Sequence, residues 1–464
     1  MKRLAWAAAL LLAGPAMADM YQDASNAKLP GARVNLGLGP SVSIMDYGAD
    51  PTGVASSEAA FASCIASGKD CRVPAGTYRL GCSAHNAAAG TAVVGDGATA
   101  TVLKLSNACV VGPWSVLSAQ EVRDLTIDMA GATTAAGGSI VVQLPRTAGP
   151  RVERVRVINA APLRMYLVGL VSGGGATTDP IISHNYLSMA SPTTSGTQCV
   201  LFSSSGGGTI TGGSIDNNVC VNAGMYINAT GLSIADNDVS GWNFGGGITT
   251  EAAAGSAKYL IAGNRFHDSG TALDVNNTAA SGVENWGPDS VIGGNHCWNI
   301  GGPCVGNGGL RAVVSNNRAY GVSKGVANGS AFESGNLGSS YNASGTLYAG
   351  NWAGDDGSAL PWYGYREQVN TFQNIVLLGN DFRGAPLGRI APANLSVATA
   401  IDAASAVGGG ASTVAALPSC GAALKHAVKP VSDQNGAPTY RGALTGGGSL
   451  AVLAYCNGTA WEAH

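Results

Sequence analysis

Ile215-Asp216-Asn217-Asn218, Ile234-Ala235-Asp236-Asn237, Ile261-Ala262-Gly263-Asn264 and Ile292-Gly293-Gly294-Asn295 are four copies of one phrase, an apolar strand-like pair leading to a turn that contains Asn. Further copies stand at Val157-Ile158-Asn159, Ile182-Ser183-His184-Asn185, Val314-Ser315-Asn316-Asn317 and Leu377-Leu378-Gly379-Asn380, with a weaker one at Ala349-Gly350-Asn351. Short apolar strands divided by polar turns at a loose repeat describe the coils of a solenoid, each burying its apolar side against its neighbours. Asn suits the turns because its side chain bonds to nearby backbone and it tolerates left-handed dihedrals. The expected fold is all-β: a right-handed, single-stranded parallel β-helix, whose long lateral surface suits a polymer.

Composition fits that expectation. Gly accounts for 68 of 464 residues without a three-residue period, and only 11 % of residues are charged. Met1-Lys2-Arg3, the apolar run Leu4 to Ala13 and Ala16-Met17-Ala18 read as a signal peptide over 1–18, too short for a membrane span. Export to a secreted or periplasmic location is the expectation, and with it disulfides for the ten cysteines. Sequence neighbours suggest Cys64–Cys71, Cys82–Cys109, Cys199–Cys220, Cys297–Cys304 and Cys420–Cys456, the third at a spacing that staples adjacent coils. Removing Lys2 and Arg3 leaves 23 basic residues against 28 acidic ones, about −5, which offers nucleic acid or an anionic membrane no electrostatic footprint. No cofactor and no metal site is read from the sequence.

Residues 19–80 divide into an extended arm and a cap. The cap carries Asp46-Tyr47-Gly48-Ala49, then a helical stretch from Ser56 to Ser67 with Ala60, Phe61, Cys64 and Ile65 on one face, then Val73-Pro74-Ala75-Gly76-Thr77-Tyr78. This order resembles the N-terminal cap of the pectate-lyase-like superfamily, which includes exported polysaccharide lyases, glycoside hydrolases, epimerases and phage tailspike depolymerases. The usual second aspartate of that cap is replaced by Ser56 or Ser57. The resemblance implies a β-helix over 81–390, with about eleven coils between 110 and 385, and a carbohydrate polymer as partner. An Ala/Ser/Gly-rich linker at 391–417 and a small β unit at 418–464, with a strand at Leu450–Tyr455 and an Asn-Gly turn, complete the expected chain. The last unit is expected to cover the final coil; a partner-binding or trimer-forming role is the alternative, so both a monomer and a homotrimer are compatible.

Hydrolysis of a glycosidic bond asks for two carboxyl groups across it. In a chain so poor in charge the richest acidic window is His267 to Asp289, and Asp274 with Glu284 is the leading acid and base pair. Asp289 would position water or raise the acid's pKa, and Glu251 is the reserve acid. Trp286 and Trp242 are candidate sugar platforms, with His267 and Asn276 beside them; Trp362, Tyr365 and Arg366 form a second candidate sugar-binding group. The leading function is therefore a glycoside hydrolase on an extracellular or plant polysaccharide.

Three alternatives stand beside it: a lyase on a uronic-acid polymer, a fructan-active intramolecular transglycosylase, and a non-catalytic carbohydrate-binding or adhesion protein. For the lyase, Arg164, Arg265, Arg311 or Arg366 would neutralise a uronate, and His267 or His296 with a Tyr such as Tyr320 would abstract the proton. The motifs of polygalacturonase-like glycosidases are absent in their order; Asp355-Asp356 is a doublet without the rest.

Overall fold

Each coil is three short strands joined by tight corners, as in Ser214–Asp216, Val219–Val221 and Gly224–Ile227. Stacking the coils in a computed structural model builds three parallel sheets. The first has fourteen strands, from Ser41–Ser43 to Ala400–Ile401; the second and third have twelve each, ending at Trp352–Gly354 and Gly388–Ile390. The fold is the right-handed parallel β-helix expected. Fourteen strands at the usual inter-strand spacing make a stack on the order of 60 Å long. Ten first-sheet strands fall between residues 110 and 385, against about eleven coils expected.

The structure describes residues 40–463 apart from 107–109, 112–114, 130–131, 135–138, 162–164, 172–174, 193–196, 205–207, 244, 252–256, 272–278, 327, 336–341, 358–361, 369–371, 392–398, 402–412, 418, 422–427 and 438. The signal segment 1–18, the arm up to residue 39, Cys109, Arg164, Asp274, Asn276 and most of the 391–417 stretch lie outside the described residues. Among the described residues no helix is long and apolar enough to cross a membrane.

The core is a set of one-residue-wide columns. Val122, Val152, Ile182, Ile215, Ile234, Ile261, Ile292 and Val314 stack in register along the first sheet, all fully buried. Beside them runs a buried polar column of Asn185, Asn218, Asn237, Asn264, Asn295, Asn317, Asn351 and Asn380 at the corner between the first and second sheets. In each step the upstream Asn donates its backbone N–H and its side-chain N–H to the Oδ1 of the next, as Asn237 does to Asn264 at 3.0 and 2.9 Å. The second Nδ2 hydrogen reaches a core carbonyl one coil back, Ile234 in the case of Asn264, at 2.9 Å. Every polar atom of these amides is thereby used inside an apolar column, which offsets the cost of taking them out of water.

The left-handed conformation belongs to the residue before the Asn. His184, Asn217, Asp236, Gly263, Gly294, Asn316, Gly350 and Gly379 all have φ between 54° and 67°. Two earlier coils keep that geometry at Asp124 and Arg154 but place buried Leu125 and Val155 where the Asn would stand. The phrase Val157-Ile158-Asn159 is not a copy: Asn159 lies in the second-sheet strand Arg156–Ala160, at a register shift, and donates to Asp128 at 2.9 Å.

At the N-terminal end the helix Glu58–Ala66 buries Ala60, Phe61, Cys64 and Ile65, the face the sequence indicates. It lies in the chain between a second-sheet strand and a first-sheet strand, so it takes the place of a third-sheet strand in the first coil. Glu58 ties it down, accepting from Gly81 N (2.7 Å) and pairing with buried His85 (3.0 Å). Cys64–Cys71, Cys199–Cys220, Cys297–Cys304 and Cys420–Cys456 are bonded as expected, and Cys199–Cys220 joins a third-sheet strand to the second-sheet strand of the following coil. Cys82 is disulfide-bonded too. At the C-terminus Val428–Gln434, Leu450–Cys456 and Trp461–Ala463 form an antiparallel sheet, with Asn457-Gly458 in the second turn.

Two consequences are measurable. Asn264→Leu strands the side-chain N–H of Asn237 and the carbonyl of Ile234, so urea unfolding should show a loss of roughly 2–5 kcal/mol; a loss below about 1 kcal/mol would mean the column carries little. The His85 hydrogen bond lowers the Glu58 pKa from 4.5 to about 2. A depressed acid contributes stability in full above pH 4.5 and loses it as pH falls towards 2, so the melting temperature should drop across that window, and Glu58→Gln should flatten the drop.

Candidate functional site

Fixing each corner at an Asn aligns the strands that leave the corners. Asn264-Arg265-Phe266-His267, Asn295-His296-Cys297-Trp298, Asn317-Arg318-Ala319-Tyr320 and Asn351-Trp352-Ala353-Gly354 begin four successive second-sheet strands. The middle residue of each strand points inward and is buried. The flanking residues point outward in two columns, Arg265–His296–Arg318–Trp352 and His267–Trp298–Tyr320–Gly354, each in direct register. Upstream, the first column continues through Arg156, Tyr186, Val219 and Asp238.

The outer surface of this sheet is aromatic and basic. His267 stacks on Trp298 with centroids 4.5 Å apart and planes 5° from parallel; His296 lies 4.9 Å from the same ring, and Tyr320 and Trp352 stack at 6.4 Å. Tyr320 and Trp352 are 43 % and 38 % exposed. His267 is clamped, Nε2 to Asp238 and Nδ1 to Asp268, both at 2.8 Å, so both ring nitrogens are occupied. His296 stands between Arg265 and Arg318, one strand away on either side. Burial first, then the charges of Arg318 and Arg265, lower its pKa below the ordinary 6.5, which leaves the imidazole neutral at neutral pH. Arg265 lies 3.7 Å from Asp238; Arg318 has no acidic partner within ion-pair distance among the described residues.

The corner beside His296 is low. Asn316 and Gly350, with Arg318 and Trp352, line a cavity of about 340 Å³, and Gly263 and Gly294 continue the same edge without side chains. A β-carbon on Gly294 would meet nothing closer than 3.9 Å, so a side chain there would project into open space.

The expected acids are placed differently. Glu284 points outward from the third-sheet strand Ser281–Asn285 and accepts from Thr249 Oγ1 at 3.2 Å. Glu251 lies two residues past Thr249, the register partner of Glu284, which sets the two α-carbons diagonally about 8 Å apart. Asp289 has left-handed φ at a corner and is held bidentately by Arg311 at 2.6 and 2.8 Å, which lowers its pKa. Asp274 and Asn276 lie outside the described residues.

Trp242, Trp362 and Tyr365 are 1 %, 0 % and 0 % exposed; each belongs to the interior and presents no ring face to a sugar. Trp286 is 8 % exposed and largely covered. Arg366 is on the third sheet, locked to buried Glu333 through Nε at 3.0 Å. Its sequence neighbour Glu367 faces inward, accepting from Tyr365 and Thr399 hydroxyls.

Sequence reading missed Trp298, Arg318 and Trp352 as a group because it looked for acids. The available signal was the pair of columns that appears once the copies are aligned on Asn. Among the described residues no three His, Cys, Asp or Glu side chains gather as metal ligands.

No family model matches the chain, and no curated protein matches it. Solved structures do. The A-module of the Azotobacter vinelandii mannuronan C-5 epimerase AlgE4 superposes over 78 % of this chain and 99 % of its own, with a TM-score of 0.55 and 17 % identity. The Dettilon tailspike protein matches over 76 % of this chain and 68 % of its own, with a TM-score of 0.52 and 14 % identity. At these identities the likeness is one of fold: a parallel β-helix.

The corner geometry makes its own prediction. Gly294→Asn should keep the wild-type melting temperature, because Asn217 and Asn316 hold the same left-handed position in other coils. Gly294→Val should destabilise by about 1–2 kcal/mol, since a β-branched residue is strained there.

Proposed function

We propose that this chain is an exported protein that binds a uronic-acid polysaccharide along the groove between the first and second sheets and removes the proton α to a uronate carboxylate, with His296 as the base. The observation that carries this reading is the placement of His296 between two arginines and beside aromatic rings at a side-chain-poor corner. Taking the C5 proton moves negative charge onto the substrate carboxylate. Arg265 and Arg318 lie one strand, about 4.8 Å, to either side of the base and would stabilise that charge. A neutral imidazole is the form that can accept the proton. Tyr320, two residues past Arg318 on the same outward face, would donate a proton to the departing C4 oxygen in elimination; return of a proton to the other face of C5 would give epimerisation instead. Trp298, Tyr320 and Trp352 supply rings for sugar faces. His267, with both nitrogens engaged, would hold Trp298 rather than take a proton. The fold likeness to a protein named as a mannuronan C-5 epimerase is compatible with this reading.

One observation favours hydrolysis as a second reading: the diagonal placement of Glu251 and Glu284 on the third sheet. The two readings use different faces, so variants separate them. His296→Gln should lower kcat/KM on uronate polymers at least about a hundredfold, and Glu284→Gln should leave it unchanged. The reverse pattern would transfer the chemistry to the third sheet.

Because the His296 pKa is lowered, kcat/KM should hold as pH falls to 6.5 and decline only below it; an acid limb above 6.5 would contradict His296 as the base. Gly294→Asn should raise KM without loss of fold.

A further inference from the structure

The column that contains His296 has a second basic and aromatic station far from it. Arg156, Tyr186, Val219, Asp238, Arg265, His296 and Arg318 follow one another in register, one strand per step. At its upstream end Arg156 sits over the Tyr186 ring, 5.3 Å from the centroid, and Tyr186 is 36 % exposed. Together with Arg154, His184 and Val219 they line a cavity of about 350 Å³. Arg154 is engaged bidentately by Asp124, whereas Arg156 has no acidic partner within ion-pair distance among the described residues. The hollow exists because Val219 is small where its register neighbour Tyr186 is large.

This station repeats the composition of the one at Arg318 and Trp352, at the same corner and on the same column. Each has a guanidinium without an acidic partner among the described residues, an exposed ring and a hollow of nearly equal volume. Six strand steps separate Arg156 from Arg318, about 29 Å along the solenoid axis.

We infer that the Arg156–Tyr186 hollow is a distal subsite for an anionic sugar, and that one acidic polysaccharide chain lies along the column with one uronate at Arg156 and another at Arg318. This inference rests on the uronate reading of the central groove. A chain that reaches both stations gains from the second contact as an intramolecular event, while a short oligomer held at one station does not. Between them the column carries Asp238, which is hydrogen-bonded to His267 at 2.8 Å and lies 3.7 Å from Arg265, so the path is not closed by an unengaged carboxylate.

The test uses the full chain and two probes, a mannuronate trisaccharide and a mannuronate polymer longer than the span, with titration calorimetry as the readout. Arg156→Gln should weaken the polymer about tenfold or more, and Tyr186→Ser should do the same, while circular dichroism stays that of the wild type. Arg318→Gln should also weaken the polymer; either single variant should bring its affinity towards that of the trisaccharide for the wild type, and the double variant should fall below it. Unchanged polymer affinity in both Arg156→Gln and Tyr186→Ser, with Arg318→Gln still impaired, would overturn the distal subsite and leave the central reading standing. Failure of the wild type to bind either probe or the corresponding galacturonate oligomers would overturn both.

Discussion

One hydrogen-bonded column fixes the rest of this molecule. Eight buried asparagines are linked from coil to coil, each donating to the Oδ1 of the next, and the bonds form only if the next coil arrives in one register. A slip of one residue would put a core residue outside and an amide against the wrong carbonyl, leaving buried groups unpaired. Apolar columns alone would tolerate exchange among Val, Ile and Leu, as they do along the first sheet. The asparagines add a directional condition that packing does not supply. The left-handed residue before each of them turns the chain into the second sheet, and that position accepts Gly, Asn, Asp or His because no ladder bond depends on its side chain.

The same constraint organises the outer surface. Since each second-sheet strand starts one residue after a fixed Asn, its outward side chains fall into columns at strand spacing whatever their chemistry. A repeated surface of this kind can place a guanidinium, an imidazole and an indole at regular intervals along an axis. The candidate site is accordingly a strip beside a low corner rather than a deep pocket. Glycines at 263, 294 and 350 serve the turn; Gly294 leaves the edge open, whereas Asp236 Oδ1 and Asn316 Oδ1 occupy the space beside Gly263 and Gly350.

Most of the fold was legible in the sequence. The Ile-x-x-Asn phrase, the capping helix with its four buried residues and the cysteine spacings led to the β-helix, the cap and the four disulfides described. The error at Asn159 has a physical cause: an apolar pair before Asn also arises inside a bulged strand, and only the pairing partner distinguishes the two. The candidate site was less legible. The acids were found by composition, yet Asp289 proved to be half of a corner ion pair and Trp242, Trp362 and Tyr365 proved to be interior residues. A Trp beside an acid has the same local sequence whether its ring faces sugar or core, because the direction depends on its parity within the strand. His267 or His296 with a Tyr such as Tyr320 was a reading the sequence offered for a lyase; Arg265 and Arg318 stand 31 and 22 residues from His296 in sequence and become its neighbours only through register.

Proton abstraction by His296 is tested most directly by tracking the C5 proton itself. Mannuronate and galacturonate polymers would be incubated with the full chain in deuterated water and the sugars read by NMR. The expected result is deuterium at C5, or an unsaturated uronate that has lost that proton, with both signals abolished in His296→Gln. Saturated products that keep the C5 proton and carry oxygen from water would contradict it and would place cleavage with carboxylates instead.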